Sequence, residues 1–552
     1  VKAGLFSKGL YMHRNKSVST HNMAMIPKFD VPRSAFMRES TYKTTLDAGF
    51  LYPFYVDEVL PGDTFNYSAT LFGRLATPIV PIMDNLYMDT FFFFVPNRLV
   101  WTNFVKMMGE QDNPADSISY IIPQQSCPAG GYVALTLQDY MGLPCAGQVP
   151  GSVNFYSHNA LPLRAYNLIW NQWFRDENLQ NSVVVDKDDG PDVYTDYVLL
   201  RRGKRKDYFT GCLPFAQKGA AVTLPLGTRA PISGLGAPPS TTGAVAGATF
   251  KDASTTAAGV VYPFSTTSAS YSMRASASGA SMIPDIYADL TQATAATVNQ
   301  LRQSFQIQKL LERDARGGTR YTELIQSHFG VRSPDSRLQR PEYLGGGSSP
   351  VTINPIAQTQ TSTATSATLT PLGTLGAMGT VLAKGHNFSY SSVEHGYIIG
   401  LVSIRADLTY QQGLRKMWSR STRYDFYWPE FAMLGEQAVL NKEIFMQAVP
   451  ATDDAVFGYQ ERWAEYRYFP SMITGLFNST NATPLDIWHL SQEFSVLPTL
   501  NSTFIQETPP VQRIVAVGAA ANGQQFLLDV FQKIRTVRPM PMYSVPGLID
   551  HF

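Results

Sequence analysis

Apolar and polar residues alternate strictly over "VSIRADLTYQ" at 402–411. Val402, Ile404, Ala406, Leu408 and Tyr410 fall on one side, and Ser403, Arg405, Asp407, Thr409 and Gln411 on the other. Period two over such a length predicts a strand with one buried side and one wet or partner-facing side. "LYMDTFFFFV" at 86–95 becomes apolar on both sides towards its end, as expected between two layers. "FLLDVFQKIRTV" at 526–537 also reads as extended. Helical periodicity is scarcer. In "NRLVWTNFVKMMGE", Trp101, Phe104, Val105 and Met108 share one helical face behind a cap at Asn97, and in "LPLRAYNLIWNQWFRDE", Tyr166, Ile169, Trp170 and Trp173 do the same. A longer helix is predicted from Asp289, with Gln292 in capping-box spacing, to Gly317, and a short one over "YTELIQSHF", stopped by Gly330. Each apolar stripe reads as core packing. Strands far apart in sequence and joined by long excursions predict a sandwich or jelly roll.

Two tracts depart from this pattern. Residues 228–281 carry only Arg229, Lys251, Asp252 and Arg274 as charges, and residues 345–385 only Lys384. Such composition alone reads as linker. The aromatic content of "GVVYPFSTTSASYSM" favours an ordered, surface-projecting insertion for the first tract, bounded at 219–285. Both ends of the chain, about 1–45 and 536–552, are studded with proline (27, 32, 539, 541 and 546) and read as extended arms that dock on a neighbour. There is no internal repeat.

Composition narrows the function. Of 552 residues only 16% are charged and 12% are aromatic, and the net charge is +1. A chain that neutralised much nucleic acid by itself would be strongly basic, so polyanion binding is expected to be local or delegated to a partner. Cys127, Cys145 and Cys212 form no CxxC or Cys/His ligand spacing, which points away from a disulfide framework or zinc site and suits a reducing cytoplasm. "FFFFV" is too short to span a bilayer, and the first residues lack the apolar core of a signal peptide. The eight histidines show no metal or triad spacing, and no GxSxG or P-loop occurs, so no catalytic residue, cofactor or metal ligand is assigned. "RPEYLGGG" and "YQERWAEYR" read as structural ion pairs, and "DKDDGPD" lacks the ligand spacing of an EF-hand loop.

The densest charge run is "RRGKRK" at 201–206, with Asp186, Asp188, Asp189, Asp192 and Asp196 upstream. If "YTDYVLL" at 194–200 is a strand, about 3.3 Å per residue puts the two runs roughly 23 Å apart, beyond screening length. Arg201, Arg202, Lys204, Arg205 and Lys206 would then face a partner, with Gly203 bending the backbone to a phosphate and Tyr208 and Phe209 offered for base stacking. A subunit-interface ion pair and a solvated turn remain alternative readings.

Long blocks resemble a known family. "RSAFMRESTYKTTLDAGFLYPFYVDEVLPGDTF", "MDTFFFFVPNRLVWTNFVKMMGE", "LPLRAYNLIWNQWFRDE", "RKDYFTGCLPFAQKG", "RYTELIQSHFGVRSPDSRLQRPEYLGG", "YQERWAEYRYFPSMITG" and "VRPMPMYSVPGLIDH" run in order across the chain. Together they resemble the major capsid proteins of microviruses, tailless single-stranded-DNA bacteriophages, in their gokushovirus branch. The resemblance implies an all-β fold: a viral eight-stranded antiparallel jelly roll with long loop insertions containing a few helices, one domain over 1–552. It implies a non-enzymatic, icosahedral T=1 shell of identical subunits around single-stranded DNA, assembled in the bacterial cytoplasm, with a small basic internal DNA-binding protein and no membrane. It also implies that the insertion meets a bacterial surface receptor, with Lys251, Tyr262, Phe264 and Tyr271 as its contact candidates. A secreted carbohydrate-binding or glycan-cleaving β-sandwich and a general single-strand binding protein are the competing readings.

Overall fold

A computed structural model of the chain describes residues 32–220, 222, 298–359, 372–516 and 524–543, and between 221 and 297 only the backbone of six two- or three-residue strands. Among the described residues, nine strands form the two largest sheets, both antiparallel. They are β1 (Ser34–Leu46), β2 (Tyr52–Val59), β3 (Thr64–Leu75), β4 (Leu86–Pro96), β5 (Glu342–Pro350), β6 (Thr352–Ala357), β7 (Leu375–Ser391), β8 (Gly396–Ala406) and β9 (Phe526–Arg538). One sheet has the order β1-β9-β3-β7-β6 and the other β5-β4-β8-β2. The protein is thus mostly antiparallel β-structure.

Alternation explains the layering. In β3, Phe65, Tyr67, Ala69, Leu71, Gly73 and Leu75 are buried while the residues between them are partly or fully exposed. In β9, Phe526, Leu528, Val530 and Ile534 point the same way. Opposite them stand Met88, Phe92 and Phe94 of β4 and Ile398, Val402 and Ile404 of β8, in one shared core. Tyr67 meets Phe92 at 4.9 Å between ring centroids, and Phe92 meets Phe388 of β7 at the same distance, so the sheets face each other as a sandwich. A fully buried phenylalanine contributes roughly 2–3 kcal/mol of transfer free energy.

The outer face of β4 and β8 is buried as well. Phe93, Val95, Tyr397, Ile399 and Leu401 pack under a second core with Trp101, Tyr166, Ile169 and Trp170. Tyr166 and Ile169 belong to α1 (Leu161–Ile169), which runs on into a single π-turn, Trp170–Phe174, short of the longer helix the sequence predicts. A third core joins Tyr208, Phe209 and Cys212 to Tyr410, Val439, Ile444, Phe457 and Phe504. Two further helices are α2 (Val298–Gly317) and α3 (Tyr321–Phe329), the latter closed by Gly330 in the left-handed region at φ 68°.

Several expectations are corrected. The alternation in β8 is real, but its polar side is not wet: Ser403 is fully buried and Arg405 nearly so, because loops from elsewhere in the chain close over them. The predicted helix over 97–108 is two single turns, Asn97–Val100 and Phe104–Met107. Asn97 is the first helical residue rather than the cap, and Trp101 between the turns is extended, its indole N–H donating to Asp189 at 2.7 Å. The predicted strand at 194–200 is absent; a 3₁₀ turn covers Tyr194–Asp196 and the rest is irregular. Residues 34–46 and 536–538 are not arms: Ser34 through Leu46 pair in unbroken register with Arg538 through Phe526. The 345–385 tract is no linker where it is described, since it supplies β6 and parts of β5 and β7. The predicted start of α2 at Asp289 lies outside the described residues.

Candidate functional site

The basic run sits where three distant segments cross. The backbone N–H of Arg202 donates to the Gly49 carbonyl at 2.8 Å, the N–H of Glu507 donates to the Arg202 carbonyl at 2.8 Å, and the N–H of Lys204 donates to the Ile505 carbonyl at 2.7 Å. Gly49 makes the crossing possible: its φ is +91°, and a Cβ there would lie 2.1 Å from the Glu507 carbonyl oxygen. Gly203 does not bend towards an open surface; it is bridged to Gln506.

This crossing fixes where the cations go. Arg201 stacks on Phe50 at 3.9 Å and donates to the Glu507 carbonyl at 3.1 Å; burial pushes its pKa down. Arg202 pairs with Asp89 of β4 and lies over Phe91 at 5.0 Å. Arg405 reaches the same carboxylate at 2.9 Å. Burial tends to raise the Asp89 pKa, but hydrogen bonds from Ser348 and Arg202 and the charges of Arg202 and Arg405 outweigh it and hold it below the ordinary range. Lys204 is buried over Phe504 at 4.6 Å, and burial pushes its pKa down. Glu507, also buried, is pushed up to about 7 by burial, partly opposed by the charge of Lys204.

The two aromatic candidates are corrected. Tyr208 and Phe209 are 4% exposed and offer no ring face to a base. The Tyr208 hydroxyl donates to Glu443 at 2.7 Å, and Phe209 packs edge-on against Tyr410 at 4.8 Å. The cause is the turn that follows the basic run. Asp207 Oδ1 accepts from the backbone N–H groups of Phe209 and Thr210 at 2.9 and 2.8 Å, which folds both rings inward.

Only Arg205 and Lys206 of the seven candidates are exposed. Lys206 pairs with Asp176 and also donates to the Thr210 carbonyl at 3.2 Å. It borders a cleft of about 780 Å³ that also takes in Arg316, Arg320, Trp173 and Tyr343. That cleft is internally neutralised, because Arg316 pairs with Glu436 and Arg320 with Glu177. The acidic run upstream has its own cation. All five N–H groups of the fully buried Arg164 are engaged, by Asp192, Asp188 and the carbonyls of Val100 and Asp188, so a guanidinium fills the centre of "DKDDGPD". The two charge runs do face different partners, although no strand separates them. Among the described residues there is no group of three or more His, Cys, Asp or Glu side chains that could hold a metal ion, and no helix is long and apolar enough to cross a membrane. Of the insertion candidates, Lys251 and Tyr262 lie on short paired strands, Thr249–Lys251 and Val261–Pro263, while Phe264 and Tyr271 lie outside the described residues.

Sequence reasoning missed Asp89, Glu507 and Asp176, the anions that receive the run. One signal was visible, the lone charge of Asp89 in an apolar strand; the fold then aligns it with Ser403, two residues from Arg405. The geometry is that of an internal brace, in which ion pairs tie the run to β4 and β8.

The model of a phage family described as capsid protein (F protein) matches residues 24–548. The chain belongs to that family. This capsid chain is 46% identical to the capsid protein VP1 of Bdellovibrio phage phiMH2K over 550 residues, covering 96% of this chain and 98% of that protein. It is 43% identical to the capsid protein VP1 of Chlamydia phage 1 over 598 residues, with the same coverage. It is 34% identical to that of Spiroplasma virus 4 over 555 residues, covering 96% and 97%. The capsid chain is therefore a structural component of a virion, and the brace around Asp89 is part of how a capsid subunit holds its long loops to its sheets.

Proposed function

We propose that the chain is the repeating subunit of an icosahedral T=1 shell around single-stranded DNA, and that eight of its strands form a viral jelly roll. The strand order carries this reading. Leaving β6 aside as an extension of one edge and lettering the other eight B to I in sequence, the sheets read B-I-D-G and C-H-E-F. That is the order of a double Greek key, the viral jelly-roll arrangement. Long excursions between the strands, above all 97–341 and 407–525, then supply the surfaces between copies.

Within this shell, the 219–285 insertion projects outward and meets the bacterial receptor, through Lys251, Tyr262, Phe264 and Tyr271. Nested antiparallel pairing supports a hairpin-like projection: Ile232–Ser233 with Tyr287–Ala288, Leu235–Gly236 with Ser272–Met273, and Thr249–Lys251 with Val261–Pro263. Arg205 and Lys206 are the members of the basic run left to face packaged DNA. A net charge of +1 supports leaving most phosphate neutralisation to a partner, here a small basic internal protein. No turnover chemistry is part of this role. Sedimentation and electron microscopy of the purified chain test it: closed particles of uniform size are expected, and a chain that stays monomeric under every condition overturns it.

A further inference from the structure

The excursion between β8 and β9 displays an aromatic surface out of keeping with a free monomer. Trp418 is 69% exposed and Phe469 76%, and Met417, Phe426, Tyr427, Tyr466, Tyr468 and Met472 are all exposed beside them. They form one face. Met417, Trp418, Tyr466, Tyr468 and Met472 border a common groove of about 540 Å³. Arg420 lies over both Phe426 at 5.5 Å and Tyr466 at 4.6 Å, Arg415 lies over Phe469 at 4.1 Å, and Tyr427 stands 6.4 Å from Tyr466. With large side chains presenting ~200 Å² each, these eight expose roughly 900 Å². Soluble monomers seldom expose contiguous apolar patches of more than about 300–600 Å², and one side of a standard protein–protein interface is about 800 Å².

The chemistry of the face selects the occupant. Trp, Tyr, Phe, Met and Arg are the residues enriched in protein interfaces, while Lys, Asp and Glu are depleted there. Over 413–476 there are seven cations and eight carboxylates, so the segment is slightly acidic rather than polyanion-seeking. Four of its seven cations are already paired with carboxylates, Arg420 with Glu465 at 3.2 Å, Lys416 with Glu443 at 3.4 Å, Lys442 with Asp454 at 2.7 Å and Arg467 with Glu461, while Arg415, Arg423 and Arg462 lie over Phe469, Trp428 and Trp463. A nucleic acid would find three arginines without a carboxylate among the described residues and meet eight carboxylates in the same segment. A protein surface needs only to cover the rings and leave the pairs in place.

We propose that this aromatic–arginine face is a contact between copies of the chain and is buried on assembly. This deepens the shell reading and rests on it. Methionine-oxidation footprinting of the unaltered chain tests it, comparing dissociated subunits with DNA-free and DNA-filled particles. Oxidation of Met417 and Met472 is expected to slow at least fivefold in both kinds of particle. Unchanged rates in intact particles overturn the contact and leave the shell standing. Protection only in DNA-filled particles also overturns it, because nucleic acid is then the occupant. A chain that forms no assembly at all removes the shell reading and this inference together. In parallel, the double substitution Trp418→Glu and Phe469→Glu is expected to give a subunit with wild-type circular dichroism and at least tenfold fewer particles. Particles at wild-type yield overturn the proposal, and the footprint decides the matter if the variant does not fold.

Discussion

Replacing Arg164 by methionine keeps most of the side-chain volume and removes a guanidinium with no exposed surface. Four acceptors in the surrounding fold lose this donor together: the Asp192 carboxylate, itself fully buried, the more exposed Asp188 carboxylate, and the carbonyls of Val100 and Asp188, which Arg164 reaches at 3.1 and 2.9 Å. The hydroxyl of Tyr197 still donates to Asp192, but a single neutral donor does not offset a buried carboxylate. Breaking a buried pair from one side costs about 3–5 kcal/mol. Because a chain of 552 residues with several cores is a poor two-state unit, the effect is best read locally. Hydrogen exchange of the α1 amides reports opening of the core that holds Arg164, and this loss corresponds to a rise of about 150- to 4,000-fold in their exchange rate. Adding Asp192→Asn should recover at least about 2 kcal/mol of the loss, since the orphaned charge is gone. A rise of less than about tenfold in the single variant, or no recovery in the double, would show that the pair is solvated and that the brace argument is wrong.

The pKa of Glu507, raised by burial from 4.5 to about 7 against the opposing charges of Lys204, Arg202 and Arg405, means that stability from this group is complete below pH 4.5 and falls as pH rises through 7, by about 3 kcal/mol. Glu507→Gln should therefore gain in thermal midpoint over the unaltered chain at pH 8 and not at pH 4.5, and an equal difference at both values refutes the assignment. Arg205→Glu should leave subunit stability within about 0.5 kcal/mol, because this exposed side chain has no partner among the described residues, yet lower the DNA retained per particle in salt challenge. Unchanged retention would remove Arg205 from the interior. Exchanging residues 237–271, between the paired strands Leu235–Gly236 and Ser272–Met273, for a short Gly/Ser turn should preserve particle yield and abolish adsorption to the host. Loss of soluble subunit would make the insertion part of the core.

The apolar strands were legible because their burial is written locally. Phe91–Val95 and the alternation at 526–537 need no knowledge of their neighbours. Edge strand β1 was not legible: "SAFMRESTYKTTL" is mostly polar and follows Pro27 and Pro32, and only pairing with a segment some 490 residues away makes it a strand. The basic run failed for the same reason. Five cations in six residues look like a surface feature until Asp89, Asp176 and Glu507 are brought to them by tertiary contacts. Ser403 and Arg405 alternate as a solvent-facing side would, and alternation cannot tell water from a folded-back loop.

In the larger sheet, β9 lies between β1 and β3, although β3 ends at Leu75 and β9 begins at Phe526. At a ribosomal rate of about 5–20 residues per second, the slot between those early strands stands open for roughly 20–90 s. A nascent chain thus carries an unsatisfied strand edge until β9 is made. A polypeptide that stops before Phe526 therefore lacks the strand that joins β1 to β3 and cannot close its sandwich.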